Sequence, residues 1–140
     1  MYLHPRDDAL AARVAAVARR WGGGFEVVPV DDWKNVVRSF PGVVVHLTMY
    51  GLPLERLLPR LARHREVLLV VGGAKVPSQL YREASYNVAV GHQPHSEVAA
   101  LAVALERLRG IPGPGTWRGA RRRIVPTERG KRVVAVSRRA

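Results

Sequence analysis

The sequence predicts an α/β fold, a mostly parallel sheet with helices on both faces. Short, wholly apolar runs alternate along the chain with segments whose apolar residues recur at helical spacing. The apolar runs lack the in–out alternation of a half-exposed sheet and read as strands buried on both faces. Strictly alternating strands and helices favour parallel strands joined by helical crossovers.

Asp7 or Asp8 can cap a first helix carrying Leu10, Val14, Val17 and Trp21, and Gly22, Gly23 and Gly24 end it. Residues Phe25 to Val30 alternate into a short strand, and Asp31 and Asp32 open a short helix with Trp33, Val36 and Val37. Pro41 and Gly42 turn the chain into a strand from Val43 to Thr48. Leu54, Leu57, Leu58 and Leu61 form a helical stripe in which Pro59 must kink the helix or sit in its first turn. A second apolar strand runs from Val67 to Val71, and Pro77 starts a helix to about Ser85. Asn87 to Gly91 is the next strand. Between Ser96 and Arg109, Val98, Leu101, Ala102, Leu105 and Leu108 give the strongest amphipathic pattern in the chain, closed by Gly110. Beyond the turn-rich Ile111-Pro-Gly-Pro-Gly115, Ile124 and Val125 can pair with Val133 to Val136 as a hairpin across Glu128, Arg129 and Gly130. This divides the chain into an α/β domain, residues 1–110, and a basic extension, residues 111–140, packed on the same domain.

Twenty-three Lys and Arg stand against 11 Asp and Glu, a formal charge of +12. Such an excess points to a polyanionic partner, nucleic acid before all others. No apolar run reaches the length of a bilayer span and the N-terminus has no basic-then-apolar leader, so a cytoplasmic protein with no membrane partner is expected. With no Cys there are no disulfides or thiolate sites, and five scattered His do not suggest a metal centre. The extension concentrates the charge in Arg118, Arg121, Arg122, Arg123, Arg129, Lys131, Arg132, Arg138 and Arg139, with Glu128 the one acid among them. Such a run can be a solvated face, but its interleaving with turns and a hairpin favours RNA phosphates, with Tyr50 and Trp117 available for stacking.

Three strand-to-loop junctions fall where a parallel sheet binds ligands, at the carboxyl ends of its strands. They are Leu47 to Gly51, Gly72 to Pro77, and Val90 to Glu97. Glycines 51, 72, 73 and 91 let backbone approach a flat ligand, although every α/β domain needs such turns. Neither a dinucleotide fingerprint nor a phosphate loop is present.

The wording of these junctions is more specific than their spacing. His46-Leu-Thr-Met-Tyr-Gly51, Val70-Val-Gly-Gly-Ala-Lys-Val-Pro77 and Tyr86-Asn-Val-Ala-Val-Gly-His-Gln-Pro-His-Ser-Glu-Val-Ala-Ala-Leu101 resemble the signature blocks of the archaeal tRNA (cytidine-56 2′-O)-methyltransferases of the SPOUT superfamily. The resemblance runs from about Arg13 through Arg132. It implies a SPOUT fold with a C-terminal trefoil knot, S-adenosylmethionine bound in that knot, a homodimer, and tRNA as substrate. It implies donor binding by Leu47, by Gly72, Gly73, Ala74, Lys75 and Val76, and by Val90, Gly91, His92, Gln93, Pro94, His95, Ser96 and Glu97. The extension, through Arg118, Arg121, Arg122, Arg123, Arg129, Lys131 and Arg132, would then hold the RNA.

The chain departs from the family pattern at Ala74, where an acidic residue is usual, and at His92, where Asn is usual. The family's N-terminal strand, helix and Arg-rich segment resembling L-G-H-R-x-x-R-D have no full counterpart before the first helix. Leu3-His-Pro-Arg-Asp7 reads as a contracted remnant, with Arg6 as the candidate catalytic arginine, or as a solvated stretch before a helix cap. His95 and Glu97 are the titratable groups nearest the presumed site, yet Ser96 and Glu97 fit a helix start better, and His46 fits a hydrogen-bonded core histidine. Two other readings compete with an active methyltransferase: a relative that binds cofactor and RNA without turnover, and a basic RNA-binding module with no small-molecule site.

Overall fold

The computed structural model describes residues 1–73, 75–113, 115 and 117–136. The elements run β1 (Tyr2–Leu3), α1 (Asp8–Trp21), β2 (Val28–Pro29), α2 (Trp33–Ser39), β3 (Val43–Pro53), α3 (Leu54–Leu61), β4 (Val67–Val70), α4 (Ser78–Glu83), β5 (Tyr86–Ala89), α5 (Glu97–Arg109), β6 (Arg122–Ile124) and β7 (Val133–Ala135). They form two compact units, one made of residues 1–33 and 112–140 and the other of residues 34–111.

The second unit is an α/β layer built on a parallel sheet in the order β4-β3-β5. One face of the sheet carries Val45, Leu47 and Val88, which pack with Leu54, Leu57 and Leu61 of α3 and Ala104 of α5 into the core. The opposite face carries His46 and Asn87, covered by Tyr81 of α4. Arg38 of α2 grips Glu83 of α4 through two hydrogen bonds, 2.7 and 3.1 Å. Helices thus lie on both faces, as the sequence predicts.

Several elements differ from their sequence-based expectation for identifiable reasons. Strand β4 lies at the sheet edge, so its apolar residues are only half-buried. Pro59 sits not in the first turn but inside the eight-residue α3, near its end, where its missing N–H removes one late helical bond. Helix α5 starts and stops where predicted, with Ser96 Oγ accepting from Ala99 N–H at 3.4 Å and Gly110 at φ 74°. Of the predicted apolar face, Leu101 and Leu108 are half-buried against the core, while the fully buried residues are Ala100 and Ala104. Small residues let the helix lie close to the sheet, whereas Val98 and Leu105, expected on that face, are 77% and 46% exposed.

In the first unit α1 begins as predicted: Asp7 Oδ1 accepts from Leu10 N–H at 2.8 Å. Strand β1, two residues long and too short to leave a periodic signal, pairs in parallel with β2, which is only a third of the strand expected there. The predicted C-terminal hairpin is present: β6 and β7 are antiparallel, with Arg123 opposite Val134, and Val125 N–H donates to Arg132 O at 2.9 Å. Gly130, at φ 92°, supplies the left-handed residue of its turn.

Candidate active site at the carboxyl edge of the sheet

Because β4, β3 and β5 are parallel and adjacent, the chain leaves all three at one edge. Central strand β3 does not simply stop there. Leu47 pairs with Val88, four residues leave the ladder, and Leu52 returns to pair with Val88 again before Pro53 meets Ala89. The excursion, Thr48 to Gly51, leaves Tyr50 74% exposed. Its return depends on Gly51, since a Cβ there would stand 2.3 Å from Val88 N and 2.4 Å from Asn87 C. Val88 pairs with β3 before and after the excursion and Asn87 is held through its side chain, so this close backbone approach admits only glycine.

The β3 excursion and the loop after β5 are joined directly, His92 Nε2 lying 3.2 Å from the Gly51 carbonyl, to which it donates when protonated there. In the loop after β4, Gly72 carries the Val76 side chain against its Cα, where a Cβ would come within 2.6 Å of Cγ2. Gly73 differs: a Cβ would meet no described atom within 4 Å. Gly91 lies next to the His95 ring, and Ser96 and Glu97 open α5. The expected donor-binding residues Leu47, Gly72, Gly73, Lys75, Val76 and Val90 through Glu97 therefore all belong to the three segments at this edge; Ala74 lies outside the described residues. A separate hollow lined by Pro41, Gly42, His64, Arg65 and Glu66 lies at the amino ends of β3 and β4 and takes no part in this edge.

Beneath the loops is a polar group sealed in the sheet. His46 is fully buried, with its ring edge-on to Tyr81 at 4.6 Å between centroids. Asn87 Nδ2 donates to the Tyr81 carbonyl at 2.8 Å, which leaves Asn87 Oδ1 to accept from His46 Nδ1 at 2.9 Å. The imidazole is thereby fixed in the Nδ1–H tautomer, with Nε2 buried and without a partner among the described residues. Burial, only partly offset by the Asn87 hydrogen bond, lowers the His46 pKa below its ordinary value. This is the hydrogen-bonded core histidine expected from its place on a buried strand. The folded chain therefore takes up a proton on this ring at lower pH than the unfolded chain does. Stability supplied by neutral His46 is complete above about pH 6.5 and is lost as pH falls from there toward the depressed folded pKa, approaching about 1.4 kcal/mol per pH unit. Melting temperature measured from about pH 7 down to about pH 5 should fall more steeply for the natural chain than for His46→Gln. Equal slopes would remove His46 as the cause.

Arg6 belongs to the first unit. Its Nε–H donates to Asp8 Oδ2 at 2.9 Å, and Asp31 Oδ2 lies 3.5 Å from its Nη1. The Asp8 hydrogen bond and charge, with Asp31 behind them, raise its pKa and keep it ionised. The same unit contains Arg118, Arg121, Arg122, Arg123, Arg129, Lys131 and Arg132, all exposed. Arg138 and Arg139 lie outside the described residues. Sequence reasoning missed the tie between this basic segment and α1: Gly23 N–H donates to Arg118 O at 3.1 Å, and Arg121 N–H donates to Arg20 O at 3.0 Å. The glycine run after α1 was its only trace, read there merely as a helix stop.

Among the described residues no group of three His, Asp or Glu could hold a metal ion, and no helix is long and apolar enough to cross a membrane.

The family model of the aTrm56 tRNA ribose 2′-O-methyltransferases matches residues 21–134. Three curated proteins named tRNA (cytidine(56)-2′-O)-methyltransferase illustrate the similarity. That of Archaeoglobus fulgidus is 44% identical over 135 residues, 96% of this chain and 80% of the relative. That of Pyrococcus horikoshii is 46% identical over 137 residues, 93% of this chain and 66% of the relative. That of Methanopyrus kandleri is 46% identical over 131 residues, 91% of this chain and 74% of the relative. With the signature-bearing loops gathered at one sheet edge and the match spanning most of its length, this chain belongs to the aTrm56 family of tRNA ribose 2′-O-methyltransferases.

Proposed function

We propose that this chain transfers a methyl group from S-adenosylmethionine to the ribose 2′-hydroxyl of cytidine 56 in the TΨC loop of tRNA, at the edge formed by the β3 excursion and the loops after β4 and β5. The observation that carries this is the convergence of the family's signature segments at the carboxyl edge of a parallel sheet. Gly73 leaves its loop backbone open, and Gly91 adds only hydrogen beside His95. Such a rim fits a flat purine and a ribose through main-chain donors and acceptors. Leu47, Gly72 to Val76 and Val90 to Glu97 would hold the donor there; the absence of a carboxylate at Ala74 leaves main-chain contacts to do so. When bound, S-adenosylmethionine supplies an electrophilic sulfonium methyl.

Methyl transfer to a hydroxyl asks the protein chiefly to align the nucleophile, exclude water and accept one proton. The His92–Gly51 contact holds two rim loops in register, and Ser96 and Glu97 are committed to opening α5. His95 is the imidazole at the rim left without such a role, and Arg6 is the arginine proposed to act at the transferred methyl. The SPOUT knot belongs to this reading as the arrangement that would close the loops around the donor. A homodimer belongs to it too, supported by the exposed apolar residues Tyr50, Leu52, Val98 and Leu105 in the second unit; a monomer in sedimentation at assay concentration would remove it. The Arg-rich extension would grip the tRNA backbone, with residues 1–110 supplying the catalytic domain and action in the cytoplasm.

The test uses a labelled methyl donor and a tRNA transcript. Incorporation is expected on the natural transcript and its loss when cytidine 56 is replaced. Incorporation that persists would overturn the assigned target. Donor binding by calorimetry without incorporation under any thermophilic condition would favour the binding-only reading, and no donor binding at all would favour an RNA-binding module. Gly73→Ala serves as a site probe, expected to leave thermal stability within about 0.5 kcal/mol while weakening donor binding.

A further inference from the structure

We infer that the hollow between the C-terminal end of α1 and strand β6, lined by Arg19, Gly119, Ala120, Arg121 and Val136, receives a backbone phosphate of the RNA substrate, so that the first helix forms half of the RNA-binding surface. This rests on the tRNA reading above and extends it to residues outside the basic extension.

The hollow is built rather than incidental. Main-chain hydrogen bonds from Gly23 to Arg118 and from Arg121 to Arg20 fasten the end of α1 to the C-terminal segment, and Val136 N–H to Arg121 O at 3.0 Å closes the β7 side. Trp117 O accepts from Ala120 N–H at 2.9 Å, making the turn that forms one wall, and Gly119 takes φ 78° within it. Arg19 from the helix and Arg121 from the extension are thereby brought to one concavity although separated by about a hundred residues of sequence.

The electrostatics call for an anion. Residues 1–33 and 112–140 contain thirteen Lys and Arg against six Asp and Glu. Of the acids, Asp7 caps the opposite end of α1, and Asp8 and Asp31 are taken by Arg6. Neither Arg19 nor Arg121 has a carboxylate partner among the described residues. Basic residues in a last helical turn do offset the negative helix terminus. That role covers Arg19 and Arg20 alone; it does not extend to Arg121, which lines the same hollow from the other segment. Arg19 and Arg121 both line this hollow, and the forked donors of a guanidinium match phosphate oxygens. Trp117, half exposed with its ring over Gly23, adds an aromatic face beside the turn, which suits a nucleotide better than a carboxylate.

The test measures affinity of the full chain for a fluorescent tRNA transcript across a potassium chloride series. Arg19→Gln and Arg121→Gln should each weaken binding by about five- to ten-fold at unchanged melting temperature, and the double variant should lower the salt slope by about one. If both arginines hold one phosphate, the double loss is smaller than the product of the single losses. Affinity and slope unchanged in Arg19→Gln, while an Arg122→Gln, Arg123→Gln variant loses binding, would refute the role of α1 and spare the extension. Fully multiplicative losses would refute the shared phosphate. No salt-sensitive tRNA binding by the natural chain would overturn the RNA reading of the extension, and this inference with it.

Discussion

Gly51→Ala is expected to cost about 3 kcal/mol or more of unfolding free energy, read by chemical denaturation, and to abolish methyl transfer. The added carbon would stand 2.3 Å from Val88 N and 2.4 and 2.5 Å from Asn87 C and O, all main-chain atoms of the neighbouring strand. A flexible side chain can swing away from such a contact; a peptide unit in a parallel ladder cannot. Val88 is fully buried and pairs with β3 on either side of the excursion, while Asn87 is held by His46 and by the Tyr81 carbonyl. Relief would therefore require either opening the β3–β5 ladder or dissolving the His46–Asn87–Tyr81 arrangement. Both lie directly under the rim loops, and the Gly51 carbonyl that faces His92 would move with them. Natural stability in the Gly51→Ala chain would mean that the excursion relaxes freely. Stability lost with donor affinity retained would separate the scaffold from the rim.

The strength of this expectation could not be read from the sequence, although Gly51 itself could be singled out. Buried strands announce themselves by uninterrupted Val and Leu, and helix ends by Asp7, Ser96, Gly22 and Gly110, because capping and left-handed φ are local needs met by few residue types. The return of β3 to the ladder is a contact between strands separated by a helix, a strand and another helix, and nothing local encodes its register. The same applies to α5. Its periodic large residues predict one face, and Leu101 and Leu108 do pack on the core, but the positions fully buried are Ala100 and Ala104, small residues that let the helix lie close to the sheet. At the site, residue types and order were legible because the loops carry family wording; the His46 tautomer was not, because it depends on Asn87 being committed to Tyr81. The fastening of α1 to the basic extension was hidden for the same reason. Both partners are main chain, and main-chain pairing leaves no residue signature beyond the glycine that permits it.

That glycine supplies the second large effect. Gly22→Ala is expected to detach the C-terminal segment from α1 and to weaken tRNA binding by at least about ten-fold, while the methyl-donor affinity proposed for the second unit stays unchanged. Gly22 has φ 80°, so any side chain there is strained before its surroundings are considered. Its Cβ would also lie 2.7 Å from Ala120 N, 2.7 Å from Arg118 O and 2.9 Å from Trp117 O, three main-chain atoms of the turn that walls the arginine hollow. The turn must retreat, and the neighbouring bonds from Gly23 to Arg118 and from Arg121 to Arg20 are lost as it does. Hydrogen exchange reads this directly: the amides of Gly23 and Arg121 should lose protection, whereas that of Val125, bonded to Arg132 inside the hairpin, should keep it. The hairpin would then retain every positive charge but no longer present Arg121 beside Arg19. If affinity falls with the charges intact, the RNA surface depends on placement and not on net charge alone. If affinity persists after the amides have become exposed, the extension binds as an untethered basic segment, and the docking of α1 serves the fold only.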